Sequence, residues 1–444
     1  MVVTCEIEFD NSPYGTYFAG QMLTGKITLK SEKMKQVKAV ALKINGFAHT
    51  CWSERRGAGK RRRVTHYSGH EDYIASVTYL VGSDQSQSVY IEPGIHTYNF
   101  SCHIPAACPS SFEGVEGHVR YTIRVVLMRP WKFDQTYTRG FTVLKVMDLN
   151  YNSPLLRMPA DTAVQKTYWC GPCKSDPLKV HITLAQTGYV PGQAIPVSVL
   201  VANESNVPVD ELKIALVMLV CYYSQSPYTH AKTSRTTVTK IKGESVPRNC
   251  NKQFTYHLHV PATPPTCFNL CRLIQIAYEV MVEAKVVGYH ANQVISTPVT
   301  IGNVPLMSVV AQQPTSSSAM MARTFSESAA ALNAGDIQNA DTYANKNANE
   351  AEAGAADSAE VNGSVVNDAH TVATPWATNA NIGPPSYEEA THMQHAKINA
   401  DVEHDYGQSD FAPRYPVFNI PSPTAPAADD VAMVNQSDGK GTWL

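Results

Sequence analysis

Apolar residues recur at every second position through most of the first 310 residues. Val40, Leu42 and Ile44 alternate with Ala41 and Lys43; Ile123, Val125 and Leu127 with Thr122, Arg124 and Val126; Val180, Ile182 and Leu184 with His181 and Thr183. Period two puts successive side chains on opposite faces, so each run predicts a strand with one buried face. Ile195–Val201 and Leu212–Val220 continue the pattern. Each strand offers several core residues worth about 1.5–3 kcal/mol apiece on burial. Pro, Gly, Asn and Ser separate the runs, and no helical repeat of comparable length intervenes. The fold class expected is all-β, as antiparallel, immunoglobulin-like β-sandwiches. At about 100–200 residues per domain, this body accommodates two.

The body also repeats itself. Tyr17-Phe18-Ala19-Gly20-Gln21 before one strand matches Tyr189-Val190-Pro191-Gly192-Gln193 before another, each a turn whose glycine can take a backbone conformation barred to other residues. Ile104-Pro105-Ala106 and Val260-Pro261-Ala262 lie 156 apart, and Tyr121 and Tyr278 lie 157 apart. A constant offset indicates a duplicated module. The expected organisation is an N-terminal lobe over 5–150, a linker over 151–176 broken by Pro154, Pro159, Gly171 and Pro172, a C-terminal lobe over 177–306, and a tail over 307–444.

Charge separates the tail from the body. Residues 311–444 hold 17 Asp and Glu against 5 Lys and Arg, a net of −12; subtraction from the totals of 38 and 36 leaves 21 against 31, or +10, for the rest. Ala, Asn, Ser, Thr and Pro dominate the tail without a sustained apolar face, so the composition predicts a disordered acidic arm. Within it stands Pro384-Pro385-Ser386-Tyr387, followed by Glu388-Glu389-Ala390. Consecutive prolines favour polyproline II, which loses little entropy when laid across an aromatic groove, and the tyrosine two residues on fills a neighbouring pocket. Pro384, Pro385 and Tyr387 therefore read as a WW-domain ligand.

These residues resemble the α-arrestins, the arrestin domain-containing proteins. The resemblance rests on Phe9-Asp10-Asn11, Tyr17-Phe18-Ala19-Gly20, Ser111-Phe112-Glu113-Gly114, Gly117-His118-Val119-Arg120-Tyr121, Arg129-Pro130-Trp131 and Asp148-Leu149-Asn150 in the first lobe. In the second it rests on Gly188–Gln193, Asn203-Glu204-Ser205, Pro261–Thr266, Cys271-Arg272 and Ile301–Leu306. It covers residues 5–306, and the Pro-Pro-x-Tyr peptide completes it. It implies two tandem arrestin-like lobes and a cytoplasmic adaptor recruited to plasma membrane and endosomes. Its partners would be transmembrane receptors or transporters as cargo and WW-domain HECT-type ubiquitin ligases, for cargo ubiquitylation, endocytosis and sorting. No catalysis is implied.

Members of that family often carry a second tail peptide, and Ala412-Pro413-Arg414-Tyr415-Pro416 is the candidate, with Pro413 and Tyr415 as contacts and one proline missing. A weak second site still gains from multivalency. Pro423-Thr424-Ala425-Pro426 resembles the ligand of the multivesicular-body sorting machinery, although it sits in low-complexity surroundings.

Trp169-Cys170-Gly171-Pro172-Cys173-Lys174 reproduces a thioredoxin-type string. Dithiol chemistry requires the first sulfur at the start of a helix, whereas Pro177 and the alternating Lys179–Leu184 follow. An inter-lobe linker is the expected reading. All ten cysteines fall in the body, consistent with a reducing compartment, and no cofactor or metal is expected. The alternative function is a thiol-dependent redox or metabolic regulator of thioredoxin-like partners, with Cys250 in Arg248-Asn249-Cys250-Asn251 as its reactive thiol.

Arg55, Arg56, Lys60, Arg61, Arg62 and Arg63 place six basic residues in nine positions around Gly57 and Gly59. Such a cluster attracts anionic headgroups or phosphorylated tails at about 1 kcal/mol per side chain; a nuclear-import signal and a merely solvated loop are the rival readings. No run of 18 apolar residues is present, so membrane contact is expected to be peripheral. Nucleic-acid binding is disfavoured because no stacking aromatics interleave the patch. The chain carries no Walker loop, Gly-x-Ser-x-Gly or His-Glu-x-x-His string, and is expected not to be an enzyme.

Overall fold

The structure, a computed structural model, describes residues 3–10, 12, 14–57, 63–85, 88–152, 154–170, 173–307, 383–393, 395–399 and 403–420. The first lobe is built from β1 (Thr4–Phe9), β2 (Thr16–Phe18), β3 (Met22–Ser31), β4 (Lys35–Val37), β5 (Ala39–Arg56), β6 (Arg63–Gly82), β7 (Val89–Ile91), β8 (Gly94–His103), β9 (Phe112–Glu113), β10 (Gly117–Met128) and β11 (Gln135–Leu144). Its two main sheets run β1-β3-β8 and β2-β11-β10-β5-β6. Leu23, Ile27 and Leu29 of the one, and Leu42, Ile44, Tyr121, Ile123 and Val125 of the other, are buried in a shared core. A helical turn, α1 (Leu149–Asn152), and a 3-10 turn (Pro154–Arg157) lead out of the lobe.

The second lobe comprises β12 (Ala160–Lys166), β13 (Trp169–Cys170), β14 (Cys173–Lys174), β15 (Leu178–Leu184), β16 (Gly188–Tyr189), β17 (Ala194–Asn203), β18 (Val209–Tyr223), β19 (Ala231–Lys242), β20 (Cys250–His259), β21 (Ile274–Val286) and β22 (Gln293–Ile301). Its main sheets run β12-β15-β17-β20 and β16-β22-β21-β18-β19. The latter repeats the strand order of the first lobe, so the duplication legible in the sequence is a duplication of topology. The fold is two tandem β-sandwiches, as expected from the sequence.

The repeated strings meet each other. Gly20 N–H donates to the Ile104 carbonyl over 2.9 Å and Ile104 N–H to Gln21 over 3.0 Å; in the second lobe Gly192 donates to Val260 over 2.8 Å and Val260 to Gln193 over 3.0 Å. Gly20 and Gly192 have φ of 95° and 91°, the left-handed region that the turn requires and a side chain resists.

Two features differ from the sequence expectation. The pairs β2–β11 and β16–β22 are parallel in otherwise antiparallel sheets. The stretch 151–176 also supplies β12, which pairs with β15 through the whole of Ala160–Lys166. Its inner face is Ala160, Thr162, Val164 and Lys166 rather than large apolar residues, so its hydrophobic signal is weak.

Candidate partner-binding site

Among the described residues the acidic tail contributes four short strands: β23 (Ser386–Glu389), β24 (Ala396–Lys397), β25 (Asp410–Phe411) and β26 (Arg414–Val417). Where a disordered arm is expected, the described residues 383–393, 395–399 and 403–420 are packed structure. β23 carries the end of the Pro-Pro-x-Tyr peptide and pairs antiparallel with β26, which carries the second tyrosine peptide. In that register Tyr387 lies opposite Pro416, Glu388 opposite Tyr415 and Glu389 opposite Arg414. Arg414 Nη2 donates to Glu389 Oε1 over 2.8 Å, and its guanidinium lies 4.5 Å from the Tyr14 ring centroid. The two tyrosine peptides form one unit.

That unit sits on the first lobe. Tyr415 is fully buried with Phe18, Leu144 and Ala390, and Tyr387 and Met393 pack against the same cluster. The Tyr415 hydroxyl donates to the Ser111 carbonyl over 2.9 Å. Pro384 and Ser386 are exposed, Pro385 is buried and Tyr387 is partly buried. Burial pushes the Tyr387 phenol up to about 12. In this conformation the Tyr415 ring is not available to a WW domain, contrary to its expected use as a second ligand, because tertiary packing encloses it.

Between the two peptides the chain runs along β11. Thr136 N–H donates to the His404 carbonyl over 3.1 Å, Tyr406 N–H to Thr136 over 2.8 Å, and Gln408 N–H to Thr138 over 2.7 Å. Asp405 Oδ1 accepts from Thr138 N–H over 3.0 Å and its Oδ2 accepts from the Thr138 hydroxyl. A Cβ on Gly407 would lie 2.2 Å from the Thr138 backbone nitrogen and oxygen, so only glycine permits this approach. The Phe411 ring covers Gly140, where an added Cβ would meet it at 2.5 Å. Gly140 lies opposite Thr122, so the tail shields the outer face of the β10–β11 pair there. Beyond β26, Phe418 is buried with Leu149 and Val190, and its N–H donates to the Pro191 carbonyl over 3.0 Å.

A cavity of about 330 Å³ lies beside this unit, lined among others by Glu113, His118, Arg120, Tyr222 and His392. Arg120 grips Glu113 through two bonds, Nε to Oε1 at 2.8 Å and Nη2 to Oε2 at 2.9 Å. Burial raises the Glu113 carboxyl despite the opposing pull of Arg120. Burial lowers His392 to about 4, and its Nδ1 has no hydrogen-bond partner among the described residues.

Other expected sites are spread apart or fall outside the described residues. Arg55 is the penultimate residue of β5 and Arg63 begins β6, both exposed, and Arg56, which ends β5, pairs with Arg63 in the ladder. Lys60, Arg61 and Arg62, and the Pro423-Thr424-Ala425-Pro426 peptide, lie outside the described residues. Cys170 and Cys173 are register partners in the β13–β14 ladder, which replaces the helix start that dithiol chemistry requires, and Cys250 is partly exposed at the start of β20. Among the described residues no helix is long and apolar enough to cross a membrane.

Sequence reasoning passed over Asp405, Gly407, Phe411 and Phe418. The signal available was aromatic density, with Tyr406, Phe411, Tyr415 and Phe418 closely spaced in a tail otherwise poor in aromatics.

Residues 5–150 match the family described as arrestin (or S-antigen), N-terminal domain, and residues 174–306 its C-terminal domain. Arrestin domain-containing protein 17 of Caenorhabditis elegans is 30% identical over 318 residues, 68% of this chain and 71% of that protein. Arrestin domain-containing protein 4 of Mus musculus is 25% identical over 309 residues, covering 67% and 71%. A rat protein named thioredoxin-interacting protein is 24% identical over 320 residues, 71% of this chain and 77% of its own length; so distant a likeness does not favour the thiol-dependent alternative.

Proposed function

The chain belongs to the arrestin-domain family, among the α-arrestins, and from that premise we propose that it is an adaptor linking transmembrane cargo to WW-domain HECT-type ubiquitin ligases. The ligase-binding element is Pro384-Pro385-Ser386-Tyr387. One observation carries the reading: this peptide is extended, enters from the surface at an exposed Pro384, and is attached to a two-lobed scaffold of the adaptor family. The proline pair supplies a low-entropy ridge and Tyr387 the ring that a WW groove takes. Cargo is engaged by the lobes, and the exposed Arg55 and Arg63 at the end of the β5–β6 hairpin assist at anionic membrane surfaces. Pro423–Pro426 adds a contact to sorting machinery.

The test is titration of a WW domain of the Pro-Pro-x-Tyr-binding class with a synthetic peptide spanning 380–392. Saturable binding is expected, and Tyr387→Ala should weaken it at least about tenfold, as loss of a central aromatic anchor does. Equal binding by the Tyr387→Ala peptide would refute the role of this element. Proximity labelling by the full chain and by its Tyr387→Ala form separates ligase partners, lost in the variant, from cargo, which is retained.

A further inference from the structure

Resting on that reading, we propose that residues 403–418 form an intramolecular clasp that holds the Pro-Pro-x-Tyr peptide on the first lobe and withholds it from WW domains. The second tyrosine peptide is the lock of this clasp.

The geometry places the two uses of the peptide in conflict. A WW groove requires the Tyr387 ring and the faces of both prolines. Here the Tyr387 ring packs against the cluster of Phe18, Leu144, Ala390 and Tyr415, and Pro385 is buried. The backbone of Ser386–Glu389 is committed to the ladder with Arg414–Val417. A WW domain can take the peptide only after both the ring and the ladder are given up. Affinity then falls by the fraction of molecules in which the peptide is free.

The clasp is anchored independently of the peptide it holds. Asp405 and Gly407 fasten it to the Thr138 backbone, Phe411 fits over Gly140, Tyr415 bonds to Ser111 and Phe418 lodges beside Val190. The backbone bonds of residues 404, 406 and 408 to Thr136 and Thr138 lay this segment along the edge of β11, as in strand addition, where main-chain hydrogen bonds supply affinity and side-chain pockets supply register. Gly407 is the most informative position. It lies in the tail, twenty residues from Tyr387, and a methyl there meets lobe backbone rather than a side chain that could swing away.

The experiment compares WW-domain affinity for the free 380–392 peptide, the full chain, and full chains carrying Gly407→Ala or Asp405→Ala. The full chain is expected to bind about tenfold or more weakly than the free peptide, and both variants to recover most of that loss. In parallel, hydrogen exchange should show the amides of 386–389 protected in the full chain and exchanging freely in the variants. Both substitutions lie outside the lobes, so the variants should still fold and melt cooperatively, with melting lowered by no more than the docked tail contributes. Equal affinity of the full chain and the free peptide overturns the clasp while leaving the WW reading intact. Variants that lose protection at 386–389 without gaining affinity also overturn it. A free peptide that does not bind overturns the WW reading and the masking role together.

Discussion

The Tyr415 hydroxyl donates a 2.9 Å hydrogen bond to the carbonyl of Ser111, 304 positions earlier in the chain. The ring is fully enclosed, so this bond is made away from water, where an unpaired carbonyl is costly. A residue that reads as a weak external ligand thus serves as an internal anchor.

Replacing Tyr415 separates its hydroxyl from its ring. Tyr415→Phe keeps the ring and leaves Ser111 short of a donor, costing the docked tail about 1–3 kcal/mol. Tyr415→Ala removes the ring and is expected to cost more, about 3–5 kcal/mol as for other large buried aromatics. Hydrogen exchange at 386–389 and 406–408 should rank wild type, Phe and Ala in order of falling protection. Equal protection in all three would show that the ring does not anchor the tail.

Docking of the tail is expected to depend on pH through His392. Burial holds its imidazole at about 4, against an ordinary value near 6.5. The released segment takes up a proton below about pH 6.5 that the packed one refuses, so its contribution to docking is fully present above that pH and is lost as pH falls towards 4. At pH 5 the effect is at most about 2 kcal/mol. His118 in the same cavity is also lowered to about 3, by burial and then by Arg120, His49 and His70, all of them on the first lobe. Protection at 386–389, corrected for intrinsic exchange, should fall between pH 7.5 and pH 5, and His392→Gln should blunt the fall. A pH-independent pattern would rule this out.

The duplicated tyrosines invite a paired test. The Tyr121 hydroxyl donates to the Pro109 carbonyl over 2.8 Å, and the Tyr278 hydroxyl donates to the Pro264 carbonyl over 2.7 Å. Each ties a long strand to the proline-containing turn before it. Tyr121→Phe and Tyr278→Phe should each lower stability by about 1–3 kcal/mol, and the double variant by their sum, since the pairs share no partner. Chemical denaturation measures this, and a marked departure from additivity would mean that the two sites are energetically coupled.

Much of the architecture is legible in the sequence. Alternation at Leu42 and Ile44, Ile123 and Val125, and Ile182 and Leu184 fixed strands with a buried face, because period two leaves no other way to hide those side chains. The matched turns at Gly20 and Gly192 were legible too, because the backbone they require admits few residues besides glycine. β12 was missed because its small and polar residues carry almost no hydrophobic contrast.

Local composition determined that Pro384-Pro385-Ser386-Tyr387 is a peptide suited to an aromatic groove, and that the tail around it cannot build a core of its own. It could not say where that peptide rests. Tyr415 becomes buried only because Phe18, Leu144 and Ser111, drawn from three separate parts of the first lobe, converge to receive it, and Asp405 finds donors only because Thr138 stands on an open strand edge. Contacts between positions hundreds of residues apart leave no periodic trace in either segment, so the fate of the tail was decided by tertiary structure alone.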